Sequence, residues 1–297
     1  MEYVLKTKEL TKIYSKTAVV DSVSIEIRPG EIYGFVGKNG AGKTTFIRTI
    51  LGLTTASEGS FSFFDGEDIK SAGKRIGSLI ESPALYKNMN ARANLELYCT
   101  MLGADKKCVD EILEIVKLKN TGKKKAKDFS LGMKQRLGIG MALVGDPEFL
   151  ILDEPINGLD PMGIVEIREL ILEMKNRGKT VFISSHFLGE LEKIATRYGI
   201  ISSGRIVEEI TSERLAEICS ERTAIKTDNP EKAREIICRF LKTDNAVIEN
   251  GIVMIKENIG DIGRVTNELF KSGITVKSIL NDNNSAEEYF IKKMEEG

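Results

Sequence analysis

A single histidine, His186, serves all 297 residues. Cysteine is nearly as scarce: Cys99, Cys108, Cys219 and Cys238 have no CxxC spacing and no histidine neighbour. That pattern argues against both a zinc site and a disulfide framework, and fits a reduced, intracellular setting best. No apolar run approaches the roughly 20 residues that cross a bilayer. The opening MEYVLKTKEL carries charges where a signal peptide would need an apolar core. If this protein works at a membrane, another chain must cross it. Charge of one sign is missing too, with 43 Lys and Arg against 44 Asp and Glu. The chain therefore offers no global field to attract a polyanion, and nothing recommends nucleic acid as a partner. What is present is 41% hydrophobic and 29% charged residues, enough for a buried core under a wet surface. The length suits one large domain or two ordinary ones.

Residues 3 to 36 alternate short apolar-rich runs with turn residues, which reads as strands, with Pro29-Gly30 turning into EIYGFV. That run leads into GKNGAGKTT and then FIRTILGL, where Phe46, Ile47, Ile50 and Leu51 fall on one helical face. From about residue 82 to 145 the spacing is helical, as in NARANLELYCTML and LGMKQRLGIGMALV, which predicts a helical insert. Strands return at EFLILDE and TVFISS, separated by a helix-like stretch that ends at Gly178. Alternating strands and helices imply an α/β fold with a mostly parallel sheet. A second unit is expected over 212–297, after a first over 1–211. Its strand and helix signals run in the order β-α-β-β-α-β, a small α+β domain of ferredoxin-like type, with a last helix at SAEEYFIKKM.

Gly37 to Thr44, GKNGAGKT, matches GxxxxGK[ST], the pattern in which glycines let backbone N–H groups converge on phosphate oxygens. A helix N-terminus adds its dipole there. Lys43 would reach the β- and γ-phosphates, and the Thr44 hydroxyl would hold Mg²⁺. Downstream, EFLILDEP ends a four-residue apolar run in two acids. Asp153 would be the second Mg²⁺ anchor, and Glu154 would polarise the attacking water. Alone, the acid pair could equally open a helix.

With both motifs in place, the chain resembles the nucleotide-binding subunit of an ABC transporter over nearly all of residues 3 to 212. The resemblance implies an ABC-type P-loop NTPase fold binding ATP and Mg²⁺ through Gly37, Asn39, Gly40, Ala41, Gly42, Lys43, Thr44 and Thr45. FSLGMKQRL resembles the family signature, usually LSGGQ, keeping Ser130 and Gly132 but putting Leu131 for the first glycine and Met133 for the glutamine. In the family this site closes on the γ-phosphate of a second subunit, so a homodimer sandwiching two ATP molecules is expected. Ser130 also reads as an ordinary helix N-cap.

In NGLDP, Asp160 stands where the family senses the opposite site. Tyr14 stands where the family places an aromatic under adenine, and reads equally as a strand-face tyrosine. His186 fits the family histidine that faces the γ-phosphate at the end of the strand after the acidic pair. It is expected to orient that phosphate, leaving Glu154 as general base. Glu81, in RIGSLIESPALY, replaces a family glutamine that touches Mg²⁺ and the attacking water. A glutamate keeps an oxygen ligand for a hard cation but adds charge beside the phosphates.

This exchange, the altered signature and the added carboxyl-terminal unit resemble the subgroup that exports, or confers resistance to, peptide antibiotics such as bacitracin and lantibiotics. The implied function is an ATPase motor for a separate membrane permease, docked near SPALYKNMN, on the cytoplasmic face of the cell membrane. The competing reading is a soluble ABC-type ATPase acting on ribosomes or nucleic acid. Against it stand a short insert without heptads and a single visible cassette.

Overall fold

The computed structural model describes residues 1–219, 222–255, 262–282 and 285–296. The chain opens with β1 (Leu5–Tyr14), β2 (Thr17–Val23) and the two-residue β3 (Glu26–Ile27). Next, β4 (Ile32–Val36) runs into α1 (Lys43–Ile50), followed by β5 (Glu58–Phe63), the short α2 (Ile69–Ala72) and β6 (Ile76–Leu79). The insert contains α3 (Ala91–Leu102), α4 (Cys108–Ile115) and α5 (Leu131–Ala142). Then come β7 (Phe149–Asp153), α6 (Pro161–Asn176), β8 (Thr180–Ser185), α7 (Leu188–Leu191), β9 (Arg197–Ser202), β10 (Arg205–Thr211) and α8 (Ser212–Ile218).

Six of these strands form one sheet in the order β10-β9-β4-β8-β7-β6. Every pair in it is parallel except β10 with β9. β4, β7 and β8 are buried along their whole length, as expected for parallel strands covered on both faces. A smaller antiparallel sheet joins β1 to β2, β3 and β5. Strands β5 and β6 lie where the sequence pattern gives no strand signal. β5 starts with exposed Glu58, Gly59 and Ser60, and β6 is only four residues long.

An aromatic cluster fixes α1 on the large sheet. The Phe46 ring lies 5.0 Å from that of Phe35 on β4 and 6.0 Å from that of Phe182 on β8. All three are fully buried. Truncating Phe46 to alanine would cost about 3–5 kcal/mol and loosen the helix that follows the glycine-rich loop.

The chain divides into two compact units, Met1–Ser212 with Phe290–Gly297, and Glu213–Tyr289. The second contains β11 (Arg222–Thr227), α9 (Pro230–Leu241), β12 (Ala246–Glu249), β13 (Ile252–Ile255), α10 (Ile262–Lys271) and β14 (Val276–Asp282). Its antiparallel sheet has the order β12-β13-β11-β14, the ferredoxin-like arrangement expected of that element order. Ile237 and Val265, from α9 and α10, share a core with Ile225 and Val253 of the sheet.

One boundary differs from the sequence expectation of a second unit running over 212–297. The last helix, α11 (Ala286–Glu296), passes back into the first unit at Phe290. The cause is burial, since Phe290 is fully enclosed with its ring 5.3 Å from that of Tyr198 on β9.

Candidate functional site

The carboxyl ends of the adjacent strands β4, β8 and β7 bring three distant segments together. From β4 the chain turns through Gly37 to Gly42 before α1 begins at Lys43. This turn requires glycine at two positions. A Cβ on Gly37 would lie 2.5 Å from the Ile201 carbonyl oxygen, and Gly42 has φ 104° with the Val19 carbonyl 2.4 Å from where its Cβ would be. Asn39 and Gly40 face solvent, whereas Ala41 and Gly42 are buried.

Lys43 is only 5% exposed. Its ammonium donates to the Gly37 carbonyl at 2.7 Å and the Lys38 carbonyl at 3.3 Å. The remaining neighbour is Glu154, whose Oε1 lies 3.1 Å away. That carboxylate oxygen is buried and out of line for a hydrogen bond, so the contact is an ion pair. The other oxygen, Oε2, meets His186 Nδ1 at 2.8 Å. A carboxylate can only accept, so Nδ1 carries the proton and Nε2 is the ring nitrogen not engaged by Glu154. The imidazole also leans on Phe187, with 4.1 Å between ring centroids. Lys43, Glu154 and His186 thus form one continuous chain, an ion pair joined to a hydrogen bond through the two oxygens of Glu154.

Asp153, at the end of β7, is fully buried. The Thr44 hydroxyl donates to its Oδ2 at 2.8 Å and the Ser184 hydroxyl to its Oδ1 at 2.5 Å. Burial pushes this carboxyl above its ordinary value near 3.8, and the two hydroxyls pull against that rise. Ser184 does a second job. Its carbonyl and hydroxyl oxygens accept from the Glu154 N–H at 3.2 and 3.0 Å. These bonds hold Glu154 at φ 48°, a left-handed conformation that costs a non-glycine residue roughly 1–2 kcal/mol. The backbone turn aims the carboxylate back at Lys43 and His186 instead of onward along the chain.

The other expected site residues are placed as follows. Glu81 also has a positive φ, 56°, but its carboxylate pairs with Arg48 Nη2 of α1 at 2.9 Å and not with Thr44 or Asp153. Ser130 caps α5, its hydroxyl accepting from Met133 N–H at 3.2 Å, and Gly132 lies in the first turn. Asp160 caps α6 through Gly163 N–H at 2.9 Å. Tyr14 is exposed, its hydroxyl 3.3 Å from that of Thr54 and its ring 4.8 Å from the Lys12 ammonium. Thr45 sits half-buried in the first turn of α1.

A cavity of about 390 Å³ opens beside this constellation, lined by Thr44, Glu81, Leu131, Gln135, Asp153 and Glu154 among others. Gln135 is not among the residues the motifs pick out. It is buried and its Oε1 has no hydrogen-bond partner. Its only sequence trace is its position five residues after Ser130. Ser184 is likewise hidden inside the apolar run TVFISS. Among the described residues no three His, Cys, Asp or Glu side chains are grouped to hold a metal ion. The hard oxygens of Thr44 and Asp153 instead suit a Mg²⁺ ion that takes its remaining ligands from phosphate and water.

The profile of the ABC transporter family matches residues 20–157. The bacitracin transport ATP-binding protein BcrA of Bacillus licheniformis is 42% identical, over 98% of this chain and 97% of that protein. The lantibiotic transport ATP-binding protein SrtF of Streptococcus pyogenes is 44% identical, over 69% of this chain and 90% of that protein. Among solved structures, the ADP conformation of an ATP-binding cassette of an ABC transporter superposes with a TM-score of 0.65. It is 26% identical and covers 72% of this chain and 93% of its own. Likeness along nearly the full length, joined to a glycine loop and acids at the carboxyl ends of two parallel strands of one sheet, assigns the chain to the ABC transporter family as an ATP-binding, ATP-hydrolysing subunit.

Proposed function

We propose that this chain is the motor of a peptide-antibiotic exporter: two copies, head to tail, hydrolyse Mg-ATP and drive a separate membrane permease. The observation that carries the reading is the chain Lys43–Glu154–His186 at the carboxyl ends of the parallel strands. The names of the bacitracin and lantibiotic relatives support the substrate class.

In this reading Gly37–Thr45 cradles the phosphates and Lys43 turns its ammonium to them. That exchange releases Glu154 from its ion pair. The freed carboxylate accepts a proton from water, whose oxygen attacks the γ-phosphorus as the bond to ADP breaks. His186, steadied through Nδ1 by Glu154, offers Nε2 to the γ-phosphate. Bound Mg²⁺, held by Thr44 and Asp153, would neutralise charge on the phosphate oxygens. Ser130, Gly132 and Asp160 sit at helix starts that would face the partner's nucleotide, and Tyr14 would stack on adenine. Glu81, freed from Arg48, could add an oxygen to the metal's shell.

The permease would dock on the insert. Ala84, Leu85, Tyr86, Tyr98, Met101 and Met141 line an open, mostly apolar groove of about 330 Å³, with Tyr86 and Met101 exposed at 50% and 64%. Exposed apolar surface of this kind marks an interaction site. No helix among the described residues is long and apolar enough to cross a membrane; in this reading the permease is what holds the chain at the inner face of the cell membrane.

Affinity capture of the tagged chain from gently solubilised membranes tests the assembly. Stoichiometric recovery of a multi-span membrane protein is expected. Recovery of ribosomal or DNA-bound partners, with none of the chain in membranes, would refute the permease reading.

A further inference from the structure

The last residues of the chain lie against the glycine-rich loop. The Ser202 hydroxyl at the end of β9 donates to the Met294 carbonyl at 3.0 Å. Lys293 pairs with Glu208 on β10 at 3.2 Å, and Phe290 is buried against Tyr198 on β9. Met294 is itself 8% exposed. It closes one side of a cavity of about 190 Å³ whose other walls include Lys38, Asn39, Gly40 and Ala41 of the loop and Ser202 and Ser203 of the β9–β10 turn.

That turn is bonded to the loop directly. Gly204 N–H donates to the Ala41 carbonyl at 3.1 Å, and the Gly204 carbonyl accepts from Asp21 N–H at 2.8 Å. Ile201 is the residue whose carbonyl forbids a side chain at Gly37. The loop therefore rests on the β9–β10 turn, and the turn rests on the carboxyl-terminal segment.

We infer that Phe290–Glu296 is a positioning element for the phosphate loop, with Met294 and Phe290 its positioning residues. The inference rests on the reading of Gly37–Thr45 as the phosphate cradle. Phosphate is held by backbone N–H groups that must converge on it. Support that fixes the Ala41 carbonyl keeps them converged before nucleotide arrives. The segment touches neither Glu154 nor His186 in any recorded contact. Its loss should weaken ground-state and transition-state binding alike, raising KM while sparing kcat.

The test uses the full chain, with steady-state ATPase kinetics, binding of a fluorescent ATP analogue and thermal denaturation. Met294→Ala should raise KM and the analogue's Kd about three- to tenfold while kcat stays within roughly twofold. Met294→Leu, which refills the volume, should restore both. Ser202→Ala should move them in the same direction, and it decides the matter if Met294→Ala does not fold. An unchanged KM in Met294→Ala and Ser202→Ala, with or without a lower Tm, would overturn the inference and leave the segment a structural anchor. Lys43→Ala separates the two readings. If it abolishes analogue binding while Met294→Ala binds normally, only the present inference falls. If it binds normally, the phosphate-cradle reading falls and takes the inference with it.

Discussion

Replacing Glu154 by glutamine should act on stability and turnover through one side chain. Lys43 and Glu154 are 5% and 15% exposed, and no other carboxylate among the described residues pairs with the ammonium. Breaking a buried ion pair by removing one partner costs about 3–5 kcal/mol. Here Lys43 keeps two carbonyl acceptors and Glu154 is not wholly dry, so the expected loss is roughly 1–3 kcal/mol. For a chain of this size that lowers Tm by roughly 2–5 °C. Phosphate would supply the missing negative charge, so ATP in the presence of EDTA should raise the Tm of Glu154→Gln by more than it raises that of the wild type. Steady-state hydrolysis should fall by about 10²–10⁴ once the general base is gone. Thermal denaturation with and without ATP, beside an ATPase assay, reads all three effects. An unchanged nucleotide-free Tm would refute the ion pair, and turnover above a tenth of wild type would refute Glu154 as the base.

Three further outcomes follow from the same geometry. His186→Ala should lose about 10²–10³ in kcat with little change in Tm, since the imidazole is a quarter exposed; wild-type hydrolysis would remove His186 from the site. Asp153→Asn should stabilise the metal-free protein at neutral pH. A carboxyl raised by burial gives stability that is complete below its ordinary 3.8 and is lost as pH rises through the higher folded value. The Tm advantage of the variant should thus grow as pH increases from about 4, and a constant difference across pH would contradict the burial argument. Glu81→Gln breaks a pair whose members are 48% and 59% exposed, so its Tm should move by less than about 1 kcal/mol of stability. The Mg²⁺ dependence of hydrolysis should shift, and an identical Mg²⁺ titration would show that Glu81 stays with Arg48 throughout.

The pieces of this site were legible in the sequence because each has a local signature. A strand, a glycine turn and a helix can be read from GFVGKNGAGKTTFI, and a buried strand ending in acids from FLILDE. Their convergence depends on strand order, since β4 and β7 flank β8, which lies between them in the sheet and arrives some 30 residues after β7 begins. Two features have no local signature at all. Glu154 adopts its left-handed turn because Ser184, 30 positions away, accepts its N–H twice. Glu81 is expected as a metal ligand only because it stands where the resembled family has a glutamine, yet a partly exposed arginine from α1 pairs with it.

The carboxyl-terminal boundary was missed for a similar reason. SAEEYFIKKM has helical spacing throughout, and nothing in it says that Phe290 will be buried by Tyr198 of β9 while the residues before it belong to another unit. Helical periodicity identifies an apolar stripe but not the surface that covers it. That gap matters for function, because the covering surface continues into the turn bonded to Ala41. The glycine-rich loop is thus plain in the sequence, while the contacts that link the β9–β10 turn beside it to Met294 have no local trace.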